Sequence, residues 1–176
     1  MTLSDKINAQ VRDVPAFPKP GIIFKDITPV LSHPKLLTEI MDWFVEKAKY
    51  DEIDVIVGVE SRGFLFGMMI AEKLGVPFVP VRKQGKLPYE TIKYSYDLEY
   101  GSATMEIHKD AIQAGQKVMI HDDLLATGGT ALAAAELVKE LGGKVGNFSF
   151  LIELGFLEGK KRLTKENEAV YSIVTY

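Results

Sequence analysis

The chain has 176 residues, of which 47% are hydrophobic and 26% are charged, a balance typical of one globular domain. It contains no cysteine, which excludes disulfide bonds and thiolate metal sites, and its net charge of −3 gives no reason to expect nucleic acid or an anionic membrane as a partner. No apolar segment has the character of a secretory signal or the length of a membrane span, so we expect a cytoplasmic protein.

Apolar spacing predicts two helices in the first fifty residues, separated by a proline-rich segment. Leu3, Ile7 and Val11 recur at helical spacing and predict a short first helix. Residues 13–34 contain five prolines, which favour an extended, ordered loop over regular structure. A strongly amphipathic helix follows, and its apolar face comprises Leu36, Leu37, Ile40, Met41, Phe44, Val45 and Ala48.

The rest of the chain alternates short apolar runs with helical segments. Apolar runs predict strands over residues 54–59, 77–81, 118–121, 144–154 and 169–176. Helices are predicted after the first and third of them, and this alternation predicts an α/β fold with a mainly parallel sheet flanked by helices. Residues 83–103 are polar and contain glycine and proline, so we expect a long irregular segment there.

Three polar motifs follow predicted strands directly, and they begin at Ser61, Arg82 and Asp122. In open parallel sheets, ligands bind beyond the carboxyl ends of the strands. We therefore expect the three motifs to converge on one cleft.

The sharpest motif is VMIHDDLLATGGT at residues 118–130, an apolar strand followed by two acids and a glycine-rich turn that opens a helix. A helix N-terminus offers free N–H groups and the positive end of a dipole to a phosphate, and glycines let a ligand approach the backbone. The predicted phosphate-binding residues are Ala126, Thr127, Gly128, Gly129 and Thr130.

Asp122 and Asp123 would repel a phosphate, so they are expected to contact something else. Carboxylates suit ribose hydroxyls, which need acceptors, or a Mg²⁺ ion on the same ligand. In the alternative interpretation one of the acids caps a turn and the glycines only shape the chain. The complete motif favours the functional interpretation.

This motif resembles the phosphoribosyl pyrophosphate signature of the type I phosphoribosyltransferases. The resemblance implies a single domain with a hood over about residues 1–34, a core over about 35–176 and a flexible lid loop over about 83–103. It implies that Asp122 and Asp123 bind the ribose hydroxyls and that the glycine-rich turn binds the 5-phosphate. His121 replaces an aliphatic residue that is usual there, and we prefer a packed histidine to a pH-sensitive contact.

Other segments resemble the adenine phosphoribosyltransferases in particular, in the same order along the chain. They are FPKPGIIFKDITPVL at 17–31, GVESRGFLFG at 58–67, VRKQGKLP at 81–88 and LEYG at 98–101. The resemblance implies transfer of a phosphoribosyl group to adenine, which gives AMP and pyrophosphate. Phe24 would stack on the flat base, and backbone groups of Ile23 and Lys25 would meet its edge. A core anchor for an extended loop is the alternative role of Phe24.

The resemblance also implies the residues that hold pyrophosphate. Ser61 and Arg62 lie on a turn whose Glu60–Ser61 peptide is expected to be cis. A bidentate arginine and lysine point charges suit the same anion. This basic cluster consists of Arg82, Lys83 and Lys86. The ordinary alternatives are a strand–helix turn with a surface ion pair and a solvated basic loop.

Glu99, on the lid, is the residue that the resemblance places near the base, where it would accept the proton that adenine loses. Tyr100 lies beside it in the sequence. Mg²⁺ is expected to arrive on phosphoribosyl pyrophosphate without a direct protein cage, because the three histidines are too scattered to form one. The resemblance further implies a homodimer.

Two other functions stay open at this point. The same fold could take hypoxanthine, guanine or xanthine in place of adenine. A non-catalytic regulator that senses phosphoribosyl pyrophosphate would usually carry an added DNA-binding segment, and none is visible in the 176 residues. Activity measured with a panel of purine bases would distinguish the first alternative from an adenine enzyme. Release of pyrophosphate would distinguish an enzyme from the regulator.

Overall fold

The computed structural model describes residues 1–97, 101–164 and 168–176. The chain divides into two compact units, Met1–Trp43 and Phe44–Tyr176. Within the described residues, every helix is too short or too polar to cross a membrane.

The N-terminal unit contains more regular structure than its prolines predict. Helix α1, Leu3–Asn8, begins with a capping box in which Thr2 and Asp5 satisfy each other's backbone N–H groups. Strands β1, Arg12–Pro15, and β2, Ile23–Asp26, form an antiparallel pair, and α2 spans Thr28–Leu31. The prediction of a loop over 13–34 is therefore wrong in part, since prolines are tolerated at the end of an edge strand and in a first helical turn.

Helix α3, Pro34–Tyr50, confirms the amphipathic prediction. Ile40, Phe44 and Ala48 recur every four residues and are all completely buried. Spacing of this kind aligns side chains on one face of a helix, and burial of that face stabilises it far more than helix propensity does.

The C-terminal unit is built on a seven-stranded sheet in the order β5-β6-β4-β3-β7-β8-β9. Its strands are β3 Val55–Val59, β4 Phe78–Lys83, β5 Thr91–Asp97, β6 Ser102–His108, β7 Lys117–Leu125, β8 Lys144–Glu153 and β9 Ala169–Thr175. Strands β4, β3, β7, β8 and β9 are neighbours in that order, and each pairs in parallel with the next. Strand β6 pairs antiparallel with both β4 and β5, so β5 and β6 form an antiparallel edge. The prediction of an α/β fold with a mainly parallel sheet is confirmed.

Helices follow the strands as crossover connections. They are α4 Gly63–Leu74, α5 Gly129–Glu140 and α6 Gly159–Leu163, the last after a short 3₁₀ turn at Gly155–Leu157. Gly75 ends α4 in the left-handed conformation, with φ of 78°, as its capping position predicts. All five residues of β3 are buried, which accounts for its uninterrupted apolar run.

The expectation of an irregular segment over 83–103 is wrong for residues 91–97, which form β5, and for residues 102–103, which begin β6. Strand β5 pairs with β6 from Thr91 opposite His108 to Asp97 opposite Ser102. β-Branched and aromatic residues dominate β5 and favour a strand. The glycines and the proline that suggested a loop lie outside β5 and β6, in the flanking turns.

Two strands also extend further than predicted, and this matters for the site. Strand β7 continues through the acidic pair to Leu125, and β4 continues through Arg82 to Lys83. The polar motifs are thus held by sheet pairing at the carboxyl ends of neighbouring strands, β4, β3 and β7.

Candidate active site

The glycine-rich turn after β7 forms a concave site at the start of α5. Gly128 has a φ of 81°, a left-handed conformation that favours glycine, and α5 begins at the next residue. A cavity of about 80 Å³ is lined by Asp122, Phe150 and residues 124–131. The predicted phosphate-binding residues therefore lie together at a helix N-terminus.

Neighbouring elements pack closely on this turn. A Cβ on Gly128 would lie 3.2 Å from the carbonyl oxygen of Gly159, at the start of α6. From the other direction, the hydroxyl of Tyr96 on β5 lies 2.9 Å from Oγ1 of Thr130. The turn is thus shaped by three separate segments, and its own sequence motif predicts only one of them.

The acidic pair lies beside the turn, but the two carboxyl groups have different partners. Asp123 is 4% exposed and pairs with Arg62, whose Nε lies 2.6 Å from Oδ2. Asp122 is half-buried, and its Oδ1 accepts the backbone N–H of Asp123 at 2.8 Å. The structure thus brings the predicted ribose-binding acids together with one predicted pyrophosphate-binding residue.

Burial raises the pKa of Asp122 well above its usual value, and the charge of Asp123 raises this pKa further. The N–H of Asp123 and the charge of Arg62 act in the opposite direction and do not overcome these effects. Ionisation of Asp122 is therefore disfavoured in the free protein. A ligand that donates hydrogen bonds to this carboxylate would favour the charged form.

Close approach of α4 to β7 brings the second motif to the acidic pair. A Cβ on Gly63 would lie 2.9 Å from Oδ1 of Asp122 and 2.9 Å from the carbonyl oxygen of His121. The first position of α4 therefore requires glycine, because a side chain there would collide with the backbone of β7. The Glu60–Ser61 peptide just before it is cis, as predicted.

Glu60 organises the basic cluster. Its carboxylate, 8% exposed, accepts hydrogen bonds from Lys86 Nζ at 2.7 Å, from Arg82 Nη2 at 3.1 Å and from the backbone N–H of Lys83 at 3.1 Å. Burial raises the pKa of Glu60, but these donors outweigh burial and bring the pKa down to about 2. The three basic residues that the sequence predicts are therefore held around one ionised carboxylate.

Glu106, on β6, holds the turn that carries Lys86, and it was not predicted from the sequence. It is 2% exposed, and its Oε1 accepts the backbone N–H groups of Lys86 and Leu87, both at 2.9 Å. Burial raises the pKa of Glu106, but hydrogen bonds from backbone N–H groups, led by that of Leu87, outweigh burial and lower it. A charged residue inside the apolar strand MEIH was the available signal.

His121 is a packed core histidine, as preferred from the sequence. It is fully buried, its Nδ1 lies 2.9 Å from Oγ of Ser149, and its ring meets that of Phe44 edge-on with centroids 4.8 Å apart. Burial lowers the pKa of His121 to about 3. The histidine is therefore neutral at physiological pH.

The predicted adenine-binding residues all lie on β2, in the N-terminal unit. Phe24 meets Phe17 edge-on, with ring centroids 5.3 Å apart, and Lys25 forms an ion pair with Asp13 at 2.7 Å. Ile23 is 58% exposed, which is unusual for an isoleucine. Glu99 and Tyr100, predicted for the lid, fall outside the described residues.

Cavity size alone does not identify the site. A larger cavity, of about 710 Å³, lies in the N-terminal unit near Met1, His33 and Glu39 and contains none of the predicted site residues. In the three described stretches of chain, no group of three or more histidine, aspartate or glutamate side chains is arranged to hold a metal ion.

Comparison with known proteins identifies the family. Residues 26–175 match the phosphoribosyl transferase domain. An adenine phosphoribosyltransferase of Koribacter versatilis is 51% identical over 172 residues, which cover 98% of this chain and 93% of that protein. The crystal structure of adenine phosphoribosyltransferase from Thermoanaerobacter pseudethanolicus matches this chain with a TM-score of 0.94 and 50% sequence identity. The match covers 99% of this chain and 100% of that chain.

A third relative was crystallised with ligands. Adenine phosphoribosyltransferase from Saccharomyces cerevisiae, in complex with an imino-altritol bisphosphate and adenine, has a TM-score of 0.91 and 44% identity and covers 97% of this chain and 98% of its own. Similarity of this extent covers the sheet, the phosphate turn and the basic cluster alike. The chain therefore belongs to the phosphoribosyltransferase family, among the adenine phosphoribosyltransferases.

Proposed function

We propose that this protein transfers the 5-phosphoribosyl group of phosphoribosyl pyrophosphate to adenine, giving AMP and pyrophosphate, as a cytoplasmic enzyme of purine salvage. The observation that carries the proposal is the phosphate turn at the start of α5 with Asp122 and Asp123 beside it. A chain half identical to adenine phosphoribosyltransferases over nearly its full length supports the choice of base. The absence of cysteine fits a reducing compartment.

In the proposed complex, the 5-phosphate accepts hydrogen bonds from N–H groups of residues 126–130, and the ribose hydroxyls donate to Asp122 and Asp123. Donation to Asp122 would relieve the cost of its buried charge. Mg²⁺ would enter on substrate oxygens, keep several waters and supply positive charge to the leaving group. The two aspartates offer hard oxygen donors to such an ion at this end of the sheet.

Pyrophosphate would be held by Ser61, Arg62 and the basic cluster. In the free protein Arg62 pairs with Asp123, and two members of the basic cluster, Arg82 and Lys86, pair with Glu60. Because the acids hold the cations in place before substrate arrives, little reorganisation is needed when charge develops on the leaving group.

Adenine would be recognised by the hood segment. Phe24 offers a ring for stacking, and Ile23 and Lys25, two residues apart on β2, direct their backbone groups to the same side of the strand. A backbone carbonyl that accepts from the 6-amino group of adenine would face an acceptor oxygen in hypoxanthine or guanine. An unsatisfied polar group in a closed site costs about 1–3 kcal/mol.

The proposed reaction forms the bond from adenine N9 to C1 of the ribose and breaks the bond from C1 to the pyrophosphate oxygen. The ribose passes through oxocarbenium character, which the negative charges of Asp122 and Asp123 stabilise. The proton lost from the imidazole ring of adenine passes to Glu99, with Tyr100 beside it, and pyrophosphate leaves with the bonding electrons. Residues 83–103 would exclude the water that hydrolyses an activated sugar.

The direct test supplies the purified chain with adenine, phosphoribosyl pyrophosphate and Mg²⁺ and measures AMP and pyrophosphate together. The proposal predicts equal amounts of both products. Absence of pyrophosphate release with every purine would instead favour a regulator that only senses phosphoribosyl pyrophosphate.

The proposed enzyme is a homodimer, and α4 offers an apolar face for a second copy. Leu65, Met68 and Met69 lie on one side of this helix and are 46%, 53% and 40% exposed. Met68→Glu should shift the mass measured by light scattering towards the monomer, whereas Glu140→Lys, at an exposed position of α5, should not. A wild-type chain that is monomeric at high concentration would contradict this.

A further inference from the structure

Tyr96 reaches the phosphate turn from β5. Its hydroxyl oxygen lies 2.9 Å from Oγ1 of Thr130, and two of its ring carbons lie 3.2 and 3.3 Å from the position that a Cβ on Gly129 would take. Tyr96 is half-buried and packs against the hydrophobic core of its unit, so the ring is held from behind. The tyrosine therefore covers the first two residues of α5.

The direction of the bond between the two hydroxyls decides what Thr130 can do for an anion. A hydroxyl has one proton to donate and two lone pairs that accept. If Thr130 donated to Tyr96, no proton would be left for a phosphate oxygen. If Tyr96 donates, Thr130 accepts from the tyrosine and donates to the phosphate, and each bond of the chain polarises the next.

We propose that Tyr96 is a positioning residue for the 5-phosphate. Its hydroxyl donates a hydrogen bond to Oγ1 of Thr130, so the threonine hydroxyl is left to donate its own proton to the ligand. The inference rests on the proposed function of the phosphate turn. It also accounts for glycine at position 129, because any side chain there would meet the tyrosine ring. An edge strand of the sheet thereby becomes part of a site whose other residues follow β7.

The test measures binding of ribose 5-phosphate to the full chain by calorimetry, because this ligand occupies the turn without turnover. Tyr96→Phe keeps the ring and removes the hydroxyl, so Kd should rise roughly three- to tenfold, the effect of one hydrogen bond. The KM for phosphoribosyl pyrophosphate should rise with it, while kcat at saturation stays near that of the wild type. Tyr94→Phe, two residues earlier on β5 and 36% exposed, is the matched control and should leave Kd unchanged.

A double-mutant cycle shows whether Tyr96 acts through Thr130. In a Thr130→Val background, Tyr96→Phe should have no further effect on Kd. Wild-type affinity in Tyr96→Phe would overturn the inference, and so would an equal loss with and without the Thr130 hydroxyl. A wild-type chain that does not bind ribose 5-phosphate would overturn the proposed function of the turn itself, and this inference with it.

Discussion

Asp122 and Asp123 are adjacent in the sequence, yet their effects on stability should have opposite signs. A carboxyl group whose pKa is raised by folding stabilises the fold below its unfolded pKa and loses this contribution as pH rises through its folded pKa. Asp122 is such a group, with an ordinary pKa of 3.8. Ionisation of this carboxyl group therefore destabilises the free protein, and we infer that the group is retained for the ligand.

We predict that Asp122→Asn stabilises the fold at pH 7 and impairs use of phosphoribosyl pyrophosphate. The melting temperature should rise by at least about 2–4 °C, which corresponds to about 1 kcal/mol in a domain of this size. The gain should shrink as pH falls and vanish below about pH 4, where the carboxyl group is protonated in both folded and unfolded chains. Thermal melts at pH 7 and pH 4 measure the difference.

Asp123→Asn is the matched control. It removes the acid that pairs with Arg62 and leaves the guanidinium without that ion pair, so the melting temperature should fall. Destabilisation by both variants at pH 7 would show that the buried charge of Asp122 costs nothing.

Glu99→Gln tests the proposed proton acceptor. The amide keeps the size of the side chain, so binding of both substrates should change little. Loss of general base catalysis should lower kcat by about 10²–10⁴-fold. Steady-state kinetics over a range of pH, with Kd values measured separately, would detect this. Wild-type turnover would leave the segment around Glu99 as a cover for the site and nothing more.

At the level of secondary structure, the sequence predicts the buried elements well because burial imposes a clear pattern. Strand β3 is apolar throughout since both of its faces are covered, and α3 shows its buried face every three or four residues. Strands β5 and β6 were missed because they form an antiparallel edge whose outer residues are polar. Their regularity comes from pairing with each other along seven residues each, and single-sequence patterns do not reveal pairing.

Glu106 connects this hairpin to the basic cluster, and Glu106→Gln should disturb the cluster. An amide oxygen accepts the N–H groups of Lys86 and Leu87 less strongly than a carboxylate does. We expect a loss of about 1–2 kcal/mol in the free energy of unfolding and a higher KM for phosphoribosyl pyrophosphate. Chemical denaturation and steady-state kinetics measure the two effects.

Glu90→Gln provides the comparison for Glu106. Glu90 precedes β5 and pairs with Lys109 at the surface, where its side chain is 66% exposed. Exposed ion pairs of this kind contribute little to the free energy of unfolding. In Glu90→Gln, both this free energy and the KM for phosphoribosyl pyrophosphate should therefore equal those of the wild type within experimental error. Equal effects of the two substitutions would show that the buried Glu106 contributes no more to stability and substrate binding than the exposed Glu90 does.

Phe24→Ala tests strand β2 as the adenine-binding element. Stacking of a base on an aromatic ring is worth about 1–3 kcal/mol in other contexts, so the KM for adenine should rise by roughly tenfold or more. The KM for phosphoribosyl pyrophosphate should change much less. Equal losses for both substrates would mean that Phe24, with its edge-on partner Phe17, only supports the N-terminal unit.

For the whole molecule, local motifs predicted which residues form the site but not how their charges are arranged. The phosphate turn, the acidic pair and the basic cluster are each continuous in the sequence or nearly so. The pairing of Arg62 with Asp123 joins residues 61 positions apart, and the bond from Lys86 to Glu60 spans 26. Such pairs arise only when parallel strands bring their carboxyl ends together, so they required the fold.

Selection of adenine over the other purine bases can be measured in a competition assay. The purified chain, with Mg²⁺ and limiting phosphoribosyl pyrophosphate, receives equal amounts of adenine, hypoxanthine, guanine and xanthine, and the nucleotide products are separated and counted. We predict that AMP exceeds each of the other nucleotides by at least about tenfold, as expected when a 6-oxo group faces an acceptor. A mixture rich in IMP, GMP or XMP would show that the site does not select adenine.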